Sequence, residues 1–273
     1  MISKTRFGEI NTEIKGAIES TLDTLKQISQ NSYITFLADG EFRKEYNTDT
    51  STQNPYVIDY RIDHYKDETR LRFLTQFLSL FYSFPTEQLE VDDNEQRIHM
   101  ELMIYSHIWE AKPFLKKLYR LAHLINEEDY SWDVNVPDMG KHTFIRDNIR
   151  SIFLNRESHI GEVIKKGFHT SLRNAFAHSE YVINTSNSKI ILDNYSGANW
   201  ELREVSFNDW SERFVYSALL SFYLLDYAHK RRQSLIEDFG TDRFMIKHPS
   251  RTRGINDTEI KYRKEADSFS FIQ

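Results

Sequence analysis

The chain has 273 residues, 40% hydrophobic and 14% aromatic, enough for one large packed domain and too apolar for a disordered or fibrous protein. It contains no cysteine, which excludes disulfides and thiolate metal sites and fits a reducing cytoplasm. A net charge of −6, from 35 Lys and Arg against 41 Asp and Glu, argues against a protein that coats nucleic acid through its phosphates and leaves room only for a local basic patch.

The opening Met1-Ile2-Ser3-Lys4-Thr5-Arg6 holds no apolar signal core, as expected of a cytoplasmic protein. Ile14, Ile18, Leu22, Leu25 and Ile28 recur at steps of three and four, which predicts an amphipathic helix over 11–28. Residues 38–60 are polar and include Pro55, so they read as a loop. Leu71, Leu74, Phe77, Leu78 and Phe81 give a second helix over 69–84, ended by Pro85. Residues 95–125 form a long helix or a pair, with a kink or fresh start at Pro113. Residues 127–142 read as a loop, 143–156 as a helix and 158–178 as one further helix.

The composition then changes. Tyr181-Val182-Ile183 and Lys189-Ile190-Ile191-Leu192 read as two short strands joined by Asn184-Thr185-Ser186-Asn187-Ser188, with a third candidate strand at 200–205. A long helix follows over about 209–238 and stops at Gly240. Its apolar stretch, 214–225, is too short for a bilayer, which takes roughly 20 apolar residues. The expected organisation is one helical domain over 1–240, with 241–273 an extended tail.

One string stands apart: Ser171-Leu172-Arg173-Asn174-Ala175-Phe176-Ala177-His178. On a helix Asn174 and His178 share a face, whereas Arg173 lies about 140° around from His178 and must reach over with its long side chain. Ile160, Ile164, Phe168, Leu172 and Phe176 form an i, i+4 stripe that has to face a core. Gly167, Ser171 and Ala175 are small and would let another helix come close. Spacing alone is weak ground, because Arg243 and His248 repeat it. That second pair lacks the Asn and runs straight into Pro249, so it reads as coincidence.

The string resembles the Arg-x4–6-His motif of the HEPN (higher eukaryotes and prokaryotes nucleotide-binding) family, in which a polar residue often follows the Arg. The resemblance covers roughly 145–239; the preceding part, 1–140, resembles nothing identified. It implies an all-α HEPN-like helical bundle with a small β-hairpin insertion after the motif helix. It also implies a metal-independent endoribonuclease whose catalytic residues are Arg173, Asn174 and His178, with no cofactor. Members of this kind act as toxins or anti-phage effectors, so an antitoxin or other regulatory protein is a possible partner. The resemblance further implies a homodimer with the active groove shared between protomers. In some family toxins a Tyr two residues after the His accepts a nucleotide. Glu180 holds that place here and Tyr181 follows it, which puts that regulation in doubt.

The chemistry fits without the family. RNA carries its own nucleophile, the 2′-hydroxyl, and needs a proton carrier working near neutral pH and a fixed positive charge on the phosphorane. His178 and Arg173 are residues of those types. Lys165, Lys166, His169 and Arg203 are candidates for holding substrate phosphates. The competing readings are plainer. His178 could be a histidine favoured at a helix C-terminus, Arg173 could pair with Glu162 or another acid, and the lysines could be a solvated face. In that case the chain is a catalytically silent HEPN-like module that binds RNA, nucleotide or protein. His99 and His107 with Glu95 and Glu101 do not repeat on a second helix as a di-metal bundle requires. Lys230-Arg231-Arg232 and Arg251-Thr252-Arg253 read as solvated ends.

Overall fold

Ser3 caps the first helix by accepting the Arg6 N–H at 3.1 Å, so α1 runs over Lys4–Ile28, a turn and more earlier than the apolar spacing indicates. The computed structural model describes residues 2–48, 51, 53–85, 89–251 and 254–272. Ile10, Ile14, Ile18, Leu22 and Leu25 form the buried stripe of α1. Ser29 ends α1 and caps α2 (Gln30–Leu37), accepting from the Ser32 N–H. The stretch read as a loop carries a two-stranded ladder, β1 (Glu41–Phe42) with β2 (Tyr56–Val57).

Helix α3 spans Arg61–Phe81 and buries only Leu74 and Phe77. The next two helices, α4 (Glu95–Glu110) and α5 (Lys112–Ile125), meet at Ala111, so Pro113 starts a new helix, one of the two outcomes its position allowed. A short α6 (Lys141–Thr143) continues through a π-helical stretch, Phe144–Arg150, into α7 (Ser151–Asn155). The expected single helix over 158–178 is two helices, α8 (His159–Gly167) and α9 (Thr170–Ala177), with Phe168 and His169 extended between them.

Strands β3 (Tyr181–Asn184) and β4 (Lys189–Leu192) pair antiparallel, as the hairpin signal indicates. The third strand is β5 (Glu204–Ser206), at the end of the expected range, and it pairs with β4. Ser206 then caps α10 (Phe207–Phe239), accepting from the Asp209 N–H, and Gly240 ends it in the left-handed conformation at φ 67°. The tail is where expectation fails. Residues 241–273 contain a three-stranded antiparallel sheet, β6 (Arg243–Ser250), β7 (Gly254–Arg263) and β8 (Ser268–Phe271). The fold is therefore mostly helical with small antiparallel sheets, and not all-α with a single hairpin.

Helix α10 is the centre of the molecule and packs on α1, α3, α4 and α8. One continuous core joins these helices to the C-terminal sheet through Phe244, Ile246, Ile260, Tyr262 and Phe269. Among the polar groups buried in it are two ion-pair centres that join distant segments. Arg97 pairs with Glu101, whose other oxygen accepts from Trp210 Nε1 at 2.9 Å, and Tyr82 donates to the same carboxylate. Arg232, expected at a solvated helix end, is instead 3% exposed and ties three parts of the chain together. It donates to Asp59 at 2.6 and 2.8 Å, to Asp267 Oδ1 at 2.9 Å and to the Leu37 carbonyl at 2.8 Å. Arg251 holds the carbonyls of Thr48 and Ser51, while Thr252 and Arg253 lie outside the described residues. Among the described residues, no helix is long and apolar enough to cross a membrane.

Candidate active site

The break between α8 and α9 aims the motif. Phe168 (ψ 133°) and His169 (φ −142°) are extended, and the buried Tyr105 hydroxyl spans the gap. It donates to the Gly167 carbonyl at 3.2 Å and accepts the His169 N–H at 2.9 Å. The two chain polarities at the break are thus satisfied inside the core. All five residues of the apolar stripe, Ile160, Ile164, Phe168, Leu172 and Phe176, are buried on either side of it.

His169 closes the break by capping α9. Its Nδ1 accepts the Ser171 N–H at 3.2 Å, which requires that nitrogen to be unprotonated. Burial, with the charges of Arg213 and Arg150, lowers the imidazole from 6.5 to about 4. An unfolded chain therefore takes up a proton that the folded one refuses, and folding stability falls as the pH drops from 6.5 towards 4. An His169→Asn variant keeps a cap acceptor and does not titrate. Urea unfolding at about pH 7 and about pH 5 should show the wild type losing more stability than this variant on acidification. Equal losses would place the titrating group elsewhere.

Arg173 and Asn174 project from α9 and His178 ends it, with its backbone N–H closing on the Asn174 carbonyl at 3.1 Å. All three line one open cleft of ≈ 570 Å³. The cleft is completed from other parts of the chain. Asp138, Met139, Gly140 and His142 come from the start of α6, and Glu180, Asn194, Trp200 and Glu201 from around the β3–β4–β5 sheet. Gly140 sits at φ 75°, a conformation a side chain resists.

The guanidinium of Arg173 is held in place. Nη1 donates to Asn174 Oδ1 at 2.8 Å and Nη2 forms an ion pair with Glu110 at the end of α4. Glu110 in turn takes Lys141 Nζ at 2.8 Å. Arg173 thus pairs with an acid, as the plainer reading allows, and that acid is Glu110, not Glu162. Glu162 pairs with Lys165 at 3.5 Å. Two buried atoms of cleft residues, Arg173 Nε and Asn194 Oδ1, have no hydrogen-bond partner among the described residues. Two of the three carboxylates there are occupied. Asp138 pairs with Lys112 at 2.6 Å, and Glu201 accepts the N–H groups of Ser196, Gly197 and Ala198, which lower its carboxyl.

The four proposed phosphate-holding residues do not line this cleft. Lys165 points to solvent beside Glu162. Lys166 pairs with Glu13, lies over the Tyr216 ring and lines a separate cleft of mixed charge. His169 is committed to its cap, and Arg203 is exposed just before β5. The other Arg-x4-His pair, Arg243 and His248, lies on strand β6 with His248 buried, so its spacing has no helical meaning. The small residues beside the motif serve the chain's own packing. A Cβ on Gly167 would lie 3.0 Å from Ser217 Oγ of α10, so that close approach is intramolecular and does not support the expected dimer.

What sequence reasoning missed is the second wall. His142, Asn194 and Trp200 have no local pattern linking them to Arg173, and only the folded chain brings them to it. The rim is apolar, with Met139 90% and Trp200 59% exposed. The described residues hold no cluster of three or more His, Asp or Glu arranged to bind a metal ion. No protein-family model matches the chain. No curated protein matches it, and no solved structure does.

Proposed function

We propose that the chain is a metal-independent endoribonuclease of the HEPN type, acting through Arg173, Asn174 and His178 in a cleft shared between two protomers. The observation that carries this reading is the meeting of all three motif residues on one open cleft, with the Arg173 guanidinium oriented by Asn174. In the reaction the RNA 2′-hydroxyl loses its proton and attacks the adjacent phosphorus, and the bond to the 5′-oxygen breaks. A 2′,3′-cyclic phosphate and a 5′-hydroxyl result, the latter taking up a proton. His178, exposed at the cleft, carries one of these protons. His142, from a different element of the same cleft, carries the other, so His142→Ala should slow cleavage in the same assay. Arg173 offsets the charge that builds on the phosphorane, and Asn174 fixes its guanidinium. The exposed Met139 and Trp200 are the apolar surface on which a second protomer would close the groove. A role as a toxin or anti-phage effector, restrained by a regulatory protein in a cytoplasm, belongs to the same reading.

The test is chemical. Cleavage of labelled RNA should proceed in EDTA and leave 2′,3′-cyclic phosphate ends. A single 2′-deoxy substitution at the cleaved position should stop cutting there while binding is kept. Cutting of the deoxy-substituted strand, or a requirement for added magnesium or manganese, would remove this mechanism.

One observation favours a second reading. Glu110 neutralises Arg173 and competes with any phosphate for it. A catalytically silent module that binds nucleotide, RNA or a partner protein through the same cleft would show binding without strand scission, and Glu110→Gln would then tighten the binding.

A further inference from the structure

A second cavity, lined along α4 and its C-cap from Met100 to Ala111, has no role in the reading above. It has a volume of ≈ 610 Å³ and lies between α3, α4, the start of α5 and α10. That volume falls within the range of about 300–1,000 Å³ usual for small-molecule sites. Its walls are apolar along most of their length, with Leu74, Phe77, Met100, Ile104, Ile108 and Leu224 facing it. Helix α3 buries only Leu74 and Phe77 and leaves Phe73 52% exposed at this cavity, so it covers the space without filling it.

The titratable groups are gathered at one end. Asp67 and Arg70 from the first half of α3, His107 from the last turn of α4 and Lys117 of α5 line the wall there. Lys117 is held by Asp39 at 2.9 Å, with Asp67 at 4.0 Å. Arg70 gives only Nη1, to Asp67 at 3.0 Å, and among the described residues its Nε and Nη2 make no further hydrogen bond. Two cations and one carboxylate therefore face this end, with a planar guanidinium edge still open. From Arg70 to Phe77 the apolar wall runs about 10 Å along the α3 axis. Burial and the charge of Arg70 lower the His107 imidazole, which leaves it a neutral hydrogen-bonding group beside that edge.

We infer that this cavity binds an amphipathic carboxylate, an alkyl chain lying between Leu74, Phe77 and Ile104 with its carboxylate on the free edge of Arg70. A guanidinium edge with two donors matches a carboxylate in one plane, and neither an alcohol nor an ammonium headgroup reproduces that match. The apolar length supplies affinity and the arginine selects the head. The site stands independently of the nuclease reading, since none of its residues lines the Arg173 cleft.

Dodecanoate, kept below its micelle concentration, is the probe. Calorimetry with the full chain should show one site per chain and a raised melting temperature. Dodecanol should bind about ten-fold weaker for want of the charged hydrogen bonds, and dodecyltrimethylammonium weaker still. Arg70→Gln should bring the carboxylate down to the affinity of the alcohol, and Met100→Trp should block both. Methyl resonances locate the site without any variant. Those of Met100 and Met103 should shift on binding, while those of Met139, at the Arg173 cleft, and Met245 should not. Equal affinity for the three headgroups, a lowered melting temperature, or a shift of Met139 in place of Met100 would overturn the inference.

Discussion

Replacing His178 by alanine is expected to reduce RNA cleavage by about 10²–10⁴-fold, the usual contribution of a positioned proton carrier. Arg173→Ala should cost about 10²–10³-fold, the loss typical of removing one donor to a developing charge. The two substitutions differ in what they leave behind. His178 is exposed and, among the described residues, its side chain makes no hydrogen bond, so its removal should change stability by no more than about 0.5 kcal/mol. Arg173 leaves Glu110 with Lys141 still beside it at 2.8 Å, so the carboxylate is not stranded and the fold should survive. Mixing the two inactive chains then asks whether the site is shared. If Arg173 of one protomer works with His178 of its partner, a mixed dimer holds one complete set and regains part of the activity. A mixture as dead as its components, from chains shown to exchange, would put the whole set in one chain. Wild-type cleavage by either variant would remove the site assignment altogether.

Arg232→Ala is expected to destabilise the protein by about 3–5 kcal/mol, the range for removing one partner of a buried ion pair. The side chains of Arg232 and Asp59 are 4% and 6% exposed, so water replaces little of what is lost. Burial already pushes the Asp59 carboxyl up despite the guanidinium beside it. Without Arg232 that carboxylate keeps, among the described residues, only the Phe269 N–H. The Leu37 carbonyl loses its Arg232 donor, and Asp267 keeps Tyr262 and His229 but loses its guanidinium. The damage should be felt where three segments meet: the end of α2, the approach to α3 and the turn before β8. Urea unfolding checks the size, and hydrogen exchange should show the β6–β7–β8 sheet losing protection first. A loss below about 1 kcal/mol would mean that the pair is solvated or replaced by a rearrangement. The prediction rests on burial and geometry alone and holds whatever the chain does.

The helices were legible because each carries its own signal. The stripes of α1 and α10, the stop at Gly240 and the restart at Pro113 are local, and short-range sterics and burial enforce them wherever the chain sits. The caps at Ser3 and Ser206 are local too but went unread, so both helices begin earlier than the apolar spacing indicates. The β3–β4 hairpin was legible for the same reason. The string from Arg173 to His178 also announced itself, since its apolar stripe and its polar residues lie within one short segment. The C-terminal sheet could have been read too. Phe244, Ile246 and His248 alternate inward against Arg243, Met245 and Lys247, a period of two that the surrounding charges and Pro249 hid.

Other features had no local signal. The break at Phe168-His169 depends on the Tyr105 hydroxyl, 64 residues away from His169 in the chain, meeting two backbone groups at once. The partner of Arg173 is Glu110, and the role of Arg232 depends on Asp59 and Asp267, none of them near in sequence. His142 reaches the motif cleft from α6, and Asn194 and Trp200 reach it from the β4–β5 connection. The sequence by itself determined most of the helices, the hairpin and the motif string, because periodic burial acts over a few residues, but not α2 or the split of α8 from α9. Which charges are buried, which way the motif faces and which walls enclose it were decided only by the tertiary structure, because desolvation and ion pairing depend on groups that folding alone brings together.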